Sequence, residues 1–350
     1  MLAAESKARV SPASSSPTTL QDSVWEEIVE PAKPFLESVA KLLSDQVDAF
    51  DPEIVPYTRY ALTNQGKQLR PVLVALSGGA NGKMNEDLVR VAVIIEMVHL
   101  ATLVHDDVMD EAEVRRRRPT LAINWGNQIS VLVGDCLFAH AVRLAASFPS
   151  PEVCRAVASA TNTVCSGEIL QSRQRPDFDV TRAEYFKIVE MKTAELFALS
   201  CDLGAWLGGG SQAGRQALRQ YGLSLGTAYQ IYDDCLDLFG REAKVGKSLG
   251  CDLANGKVTL PILVALERAD IADQTSLRNC VQDWQPEFFP RILELLDKYD
   301  ARNCAREVIE QYLGAARRSL ELISDSPSRQ SLFAMTGYLA QLTDSLAIPD

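Results

Sequence analysis

From Asp22 onward, apolar residues recur at three- and four-residue intervals, the period of helices with one buried face. Helical patterns are predicted around 54–64, 68–78, 85–108, 122–146, 151–172, 181–208, 214–239, 256–269, 287–298, 301–323 and 328–346. Asp22-Ser23 can cap an earlier helix, with Glu26-Glu27 in its first turn. Alternating strand patterns with hairpin turns are almost absent. Short breakers separate the helices: Ser77-Gly78-Gly79, Phe148-Pro149-Ser150-Pro151, Gly208-Gly209-Gly210 and the stretch from Gly246 to Gly256. No internal repeat has a solenoid period. Residues 1–20, rich in Ser, Pro, Thr and Ala, have no apolar period and read as a flexible tail. A transit peptide is disfavoured there, because Glu5 is acidic and arginine is scarce. The expected fold is all-α, one many-helix bundle over 21–350 with its site in the core.

Composition narrows the class. Of 350 residues, 47% are hydrophobic, enough for a substantial core. The net charge of -11 argues against non-specific nucleic-acid binding, although Arg115-Arg116-Arg117-Arg118 form a local basic run. Eight cysteines show no C-x-x-C pair or metal-finger spacing; Cys136, Cys154, Cys165 and Cys201 sit singly in apolar helical stretches, as reduced thiols of a cytosolic protein do. The longest apolar run, Val89 to Val104, holds Glu96 and His99 and is too short and polar to span a bilayer. The N-terminus lacks the basic-then-apolar layout of a secretory signal.

The chemistry concentrates in two acidic clusters of one spacing, D-D-x-x-D: Asp106-Asp107-Val108-Met109-Asp110 and Asp233-Asp234-Cys235-Leu236-Asp237. On a helix, residues four apart share a face, so each cluster projects a carboxylate pair. The helix dipole disfavours anions at a C-terminal end, and a multivalent cation removes that cost. Mg²⁺ takes one or two carboxylates and completes its shell with water and phosphate oxygens. One such cluster reads as a solvated helix end; two, each after a long apolar helix, read as a clamp for a diphosphate. Glu96, His99, Asp106 and Asp110 fall close to one helical stripe.

Cations accompany the acids. Lys67 and Arg70 share a face at a helix start, a point charge beside a bidentate fork. Arg115-Arg116 follow the first cluster, Lys192-Thr193 add a cation and a hydroxyl, and Lys247 and Lys257 flank a glycine-containing loop. With three histidines, His99, His105 and His140, and no G-x-S-x-G elbow, no nucleophile-base set is formed. The pattern suggests electrophilic chemistry: metal and cations draw off a diphosphate and leave a carbocation in a dry pocket.

Over roughly residues 60–265 the chain resembles the trans-isoprenyl diphosphate synthases of the polyprenyl synthetase family. The matching motifs run in order: Gly66-Lys67-x-x-Arg70-Pro71, His105-Asp106-Asp107-x-x-Asp110, Arg115-Arg116-x-x-Pro119-Thr120, Gly134-Asp135, Gly167-Glu168, Lys192-Thr193, Gln230-x-x-Asp233-Asp234-x-x-Asp237, and Lys247 with Asp252-Leu253 and Gly256-Lys257-x-Thr259-Leu260-Pro261. The resemblance implies an isoprenoid-synthase bundle with a central cavity, joining isopentenyl diphosphate to an allylic diphosphate. It implies that Asp106, Asp110 and Asp233 bind three Mg²⁺, with Asp107, Asp234 and Asp237 in support. Arg115, Lys192, Lys247 and Lys257 would contact the allylic diphosphate, and Lys67, Arg70, His99 and Arg116 that of isopentenyl diphosphate. Thr193 and Gln230 would line the reacting carbons. Arg117 departs from the family, which usually has a small residue there.

In the family, bulky aromatics just before the first cluster go with short products. Ala101 is small, so a tunnel past Ala101 and Thr102, then Met97 and Val98, is expected to stay open for a product of about C30 to C50. A homodimer through apolar helices such as 122–146, a cytoplasmic location and loose membrane association through the product are further expectations. The rivals are a short-chain synthase, a class I terpene cyclase, which needs no second D-D-x-x-D, and a non-catalytic subunit, in which aspartates are usually lost. A di-iron bundle requires two Glu-x-x-His pairs, whereas Glu96-x-x-His99 stands alone.

Overall fold

The computed structural model describes residues 20–63, 66–240 and 249–346; the N-terminal tail, except Leu20, and Lys247 fall outside the described residues. Helices α1 (Leu20–Val29), α2 (Lys33–Asp45) and α3 (Val55–Thr63) lead to α4 (Leu69–Asn81) and α5 (Glu86–Met109). Helices α6 (Leu121–Trp125), α7 (Asn127–Ala146), α8 (Pro151–Arg173), α9 (Arg182–Val189), α10 (Glu195–Leu207) and α11 (Gln212–Phe239) follow. A short turn at Cys251–Ala254 precedes helices Leu260–Arg268, Ile271–Gln282, Phe289–Lys298, Ala301–Ser319 and Pro327–Asp344. One hydrophobic core runs from Ile28 to Leu346, as expected of an all-α bundle.

Local chemistry sets the helices that matter. Asn85 starts α5 by accepting the Leu88 N–H at 3.0 Å, with Glu86 and Asp87 in the first turn. Thr181 and Glu184 close a capping box on α9. Ser211 caps α11, whose 28 residues carry the second acidic cluster. Helix α10 packs between α4 and α11. At Gly226 of α11 a Cβ would stand 2.7 Å from the Ala194 Cα, so only glycine lets the backbones approach this closely.

The architecture corrects several boundaries. Helix α1 already contains Asp22 and Ser23, which therefore do not cap it. The 122–146 pattern breaks at Gly126, φ +85°. The 181–208 pattern is interrupted by a π turn at Glu190–Ala194, and the 256–269 helix starts only at Leu260. Helices α2 and Ile271–Gln282 are additional. Val114–Arg115 and Arg118–Pro119 pair as a minimal antiparallel hairpin.

Helices α5 and α7 are both long and apolar enough to cross a membrane, contrary to the reading of Val89–Val104; 67% of the α5 window is buried in the bundle against 39% for α7.

Candidate active site

A cavity of about 1530 Å³ opens between the C-terminal part of α5, the π turn and α11. Asp106 and Asp110 line it from one side, Asp233 and Asp234 from the other. The remaining two aspartates face elsewhere. Asp107 is buried and accepts from Arg115 Nε at 2.5 Å, beside a small recess lined by Tyr60 and Leu121. Asp237, 1% exposed, accepts the Asp252 N–H at 2.9 Å and ties down the Cys251–Ala254 turn.

Asp234 ends a hydrogen-bonded chain. Thr193 Oγ1 donates to Gln230 Oε1 at 2.7 Å, Gln230 Nε2 donates to Asp234 Oδ1 at 2.8 Å, and Tyr185 Oη donates to Asp234 Oδ2 at 2.5 Å. Burial, aided by nearby Asp252, pushes the Asp234 carboxyl up to about 8, against the two donors. The π turn fits one extra residue into the helix. Its backbone lies so close to α8 that a Cβ at Gly167 would stand 2.8 Å from the Lys192 N, and both Lys192 and Thr193 line the cavity.

Cations and acids interleave around the first cluster. Lys257 Nζ lies 3.0 Å from Asp110 Oδ2 and 3.4 Å from Asp252 Oδ1. Lys192 Nζ pairs with Glu168 and donates to Gln171 Oε1 at 2.9 Å. Arg175 Nη2 sits 3.1 Å from Asp110 Oδ1 and 3.8 Å from Glu168 Oε1. Burial works to raise Asp110, but Lys257, Arg175 and Lys192 outweigh it and hold the group below its usual range. The Asp106 carbonyl accepts the Asp110 N–H at 2.8 Å; burial pushes its carboxyl up to about 6, and Glu168 and Asp110 add to the rise against Lys192 and Arg115. Sequence reading gave no role to Glu168, although its Gly167-Glu168 motif was visible, and missed Arg175, which follows α8 outside any periodic pattern.

At the other end, Arg70, Glu96, His99 and Arg116 gather. Arg70 lies over the Phe197 ring at 5.2 Å. Glu96 is 2% exposed and its Oε2 has no hydrogen bond. Burial raises Glu96, while burial and then Arg70, Arg116 and Arg115 push His99 well down and keep it neutral. Lys67 is exposed; its Nζ donates to Tyr338 Oη at 3.0 Å and faces the Trp25 ring at 5.7 Å. Arg116 and Arg117 form the two-residue hairpin turn, both at positive φ, +52° and +63°. The turn sends Arg115 back to Asp107 and leaves Arg116 and Arg117 on the cavity.

Of the four chain-length positions, Thr102 lines the cavity with Leu103 and Phe138, whereas Ala101, Met97 and Val98 lie in the packed core at 0%, 0% and 1% exposure. Thr102 shares the face of His99 and Asp106 by three- and four-residue steps; Met97 and Ala101, four apart, share the opposite side of α5, and Val98, one turn before Thr102, is covered by packing.

The donor set suits a hard cation. Among the described residues no three carboxylate, histidine or cysteine side chains converge on one point. An ion at Asp106, Asp110 or Asp233 therefore completes its shell with other oxygens, as Mg²⁺ does with phosphate and water. The charge at half-buried Asp106, only partly offset by Lys192 and Arg115, is what such an ion relieves.

Residues 51–295 match the family model described as polyprenyl synthetase. The short chain isoprenyl diphosphate synthase of Methanothermobacter thermautotrophicus is 32% identical over 90% of this chain and 98% of its own. Heptaprenyl diphosphate synthase component 2 of Bacillus subtilis is 35% identical over 85% of this chain and 88% of its own. The crystal structure of a polyprenyl synthase from Caulobacter crescentus, complexed with calcium and isoprenyl diphosphate, superposes with a TM-score of 0.85 at 31% identity, covering 90% of this chain and 97% of that one.

Proposed function

The chain belongs to the polyprenyl synthetase family and is a prenyltransferase, and from that premise we propose that it adds isopentenyl diphosphate repeatedly to farnesyl or geranylgeranyl diphosphate, giving an all-trans product of about C30 to C50. The observation that carries this reading is the single cavity onto which Asp106, Asp110 and Asp233 open, with Lys192 and Lys257 beside them and Lys67, Arg70 and Arg116 at the other end.

In this reading Asp106, Asp110 and Asp233 hold three Mg²⁺; the bound calcium and isoprenyl diphosphate of the Caulobacter relative support a divalent ion. Bound Mg²⁺ supplies Lewis-acid neutralisation of the leaving diphosphate. Asp107 acts through Arg115, Asp234 through Gln230 and Tyr185, and Asp237 through the Asp252 turn. Lys192, Lys257, Lys247 and Arg115 bind the allylic diphosphate. Lys67, Arg70, Arg116 and one N–H of neutral His99 bind that of isopentenyl diphosphate. Thr193 and Gln230 present side-chain oxygens to the developing allylic cation, and the isopentenyl double bond attacks it. The proton then lost passes to the released diphosphate, so no histidine base is needed.

Small Thr102 at the cavity wall supports chain growth past α5, and the heptaprenyl relative supports a long product. The exposed apolar side chains Val131, Leu132 and Val142 on α7 support a homodimer; a cytoplasmic location and loose membrane contact through the product complete this reading. The Bacillus relative's name, component 2, favours a second reading, a subunit that acts with another chain.

The test is purified protein with Mg²⁺, labelled isopentenyl diphosphate and, separately, geranyl, farnesyl and geranylgeranyl diphosphates. A ladder ending at one long chain is the expected result. Products ending at C15 or C20 overturn the length, a cyclic hydrocarbon from primer alone overturns the elongation, and no turnover by the chain alone favours the two-component reading.

A further inference from the structure

Arg175 belongs to none of the motifs above. It stands just beyond α8, in a turn closed by the Asp177 N–H on Gln174 O at 2.8 Å. Pro176, inside that turn, fixes its own φ and lies against Gly256, at the edge of the segment that carries Lys257. The guanidinium is thereby placed between the first acidic cluster and Glu168.

We infer that Arg175 is a resident counter-cation of the first acidic cluster: a divalent ion must displace it from Asp110, and the displaced guanidinium becomes a further contact for the substrate diphosphate. The inference rests on the reading that this cluster holds metal and diphosphate. Both oxygens of Asp110 already face cations, Oδ1 toward Arg175 Nη2 at 3.1 Å and Oδ2 toward Lys257 Nζ at 3.0 Å. Both oxygens of Glu168 do too, through Arg175 and Lys192. Lys257 has a second carboxylate in Asp252, 3.4 Å away, which retains it when an ion enters.

Arg175 is held less completely. Its side chain is 17% exposed, and its Nε and Nη2 are fully covered yet make no hydrogen bond. The contact with Asp110 is therefore electrostatic and off the hydrogen-bonding angle. A covered N–H without an acceptor is unfavourable, and two of them on one planar fork, lining the cavity, match two oxygens of a phosphate.

The experiment compares wild type, Arg175→Gln and Arg175→Lys. Melting curves in EDTA and under Mg²⁺ titration without substrate give a metal midpoint, and steady-state kinetics give separate KM values for the allylic and isopentenyl diphosphates. Arg175→Gln should melt lower than wild type in EDTA and reach its metal midpoint at roughly threefold lower Mg²⁺, the weight of a partly exposed ion pair. Its allylic KM should rise about tenfold, the loss of a charged hydrogen bond, with the isopentenyl KM unchanged. Arg175→Lys keeps the charge without the fork, so it should keep the wild-type metal midpoint and still raise the allylic KM. An unchanged metal midpoint in Arg175→Gln overturns the counter-cation, and an unchanged allylic KM in both variants overturns the diphosphate contact. If wild type shows a metal midpoint but turns over no primer, the proposed function fails while the melts still score the counter-cation.

Discussion

Arg115 Nε lies 2.5 Å from Asp107 Oδ1, so the second aspartate of the first cluster faces a guanidinium of the hairpin and not the cavity. Neighbours in sequence, Asp106 and Asp107 differ in what they touch. Asp106→Asn removes a cavity carboxylate and is expected to lower kcat by at least about a hundredfold. Asp107→Asn releases Arg115 and should act mainly on the allylic KM, by about tenfold. Kinetics at saturating Mg²⁺ separate the two; equal losses of kcat would return Asp107 to the metal.

Thr102 and Ala101, expected from sequence at one level of the tunnel, differ in place: Thr102 lines the cavity and Ala101 lies in the packed core. Thr102→Phe puts a ring into the cavity and should shorten the product by several isoprene units, read by sizing the dephosphorylated chains. Ala101 is fully buried, so Ala101→Phe overpacks the core, at a cost of about 1–3 kcal/mol, and should lower Tm before it alters product length. A shorter product from Ala101→Phe alone would put the tunnel floor back on Ala101.

What could be read from sequence, and what could not, follows from the range of each cause. The stripe of Glu96, His99, Asp106 and Asp110 is local, set by helix period, and all four line the cavity. Asp233 and Asp237 share a spacing too, but the turn at Cys251–Ala254 folds back and covers Asp237, a tertiary contact that no spacing encodes. Ile271–Gln282 buries only Leu277 and Val281, too few positions to register as periodic. The π turn at Glu190–Ala194 depends on close packing against Gly167. Arg175 lies past a helix end, where direction is set by Pro176 and the neighbouring Gly256.

Arg117 occupies a left-handed position, φ +63°, in a two-residue hairpin turn that favours glycine. The small residue usual there in the family has this physical reason. Arg117→Gly removes the backbone strain, worth about 1 kcal/mol, and should raise Tm by roughly 2 °C. Arg115 keeps its bond to Asp107 in this variant, so the allylic KM should stay within about twofold of wild type. A lower Tm would mean that the Arg117 side chain, and not its backbone, decides the turn.

The pH dependence of stability should change sign with metal. Asp106 has its pKa raised to about 6 from an ordinary value near 3.8, burial first and Glu168 and Asp110 next. The folded metal-free protein thus binds this proton more tightly than the unfolded chain. Its ionised form is a burden above about pH 6, which is relieved as pH falls from 6 toward 4. With Mg²⁺ bound the carboxylate must stay ionised, so acidification through the same window releases metal and lowers Tm. The difference in Tm between wild type and Asp106→Asn isolates this group from others that titrate nearby, such as His140, whose pKa is lowered to about 4 by burial and then Arg143. In EDTA, wild type should gain roughly 2 °C or more on Asp106→Asn between pH 7 and 5. In saturating Mg²⁺ it should lose ground over the same interval. Parallel curves in both conditions would show that Asp106 neither carries the buried charge nor meets the ion.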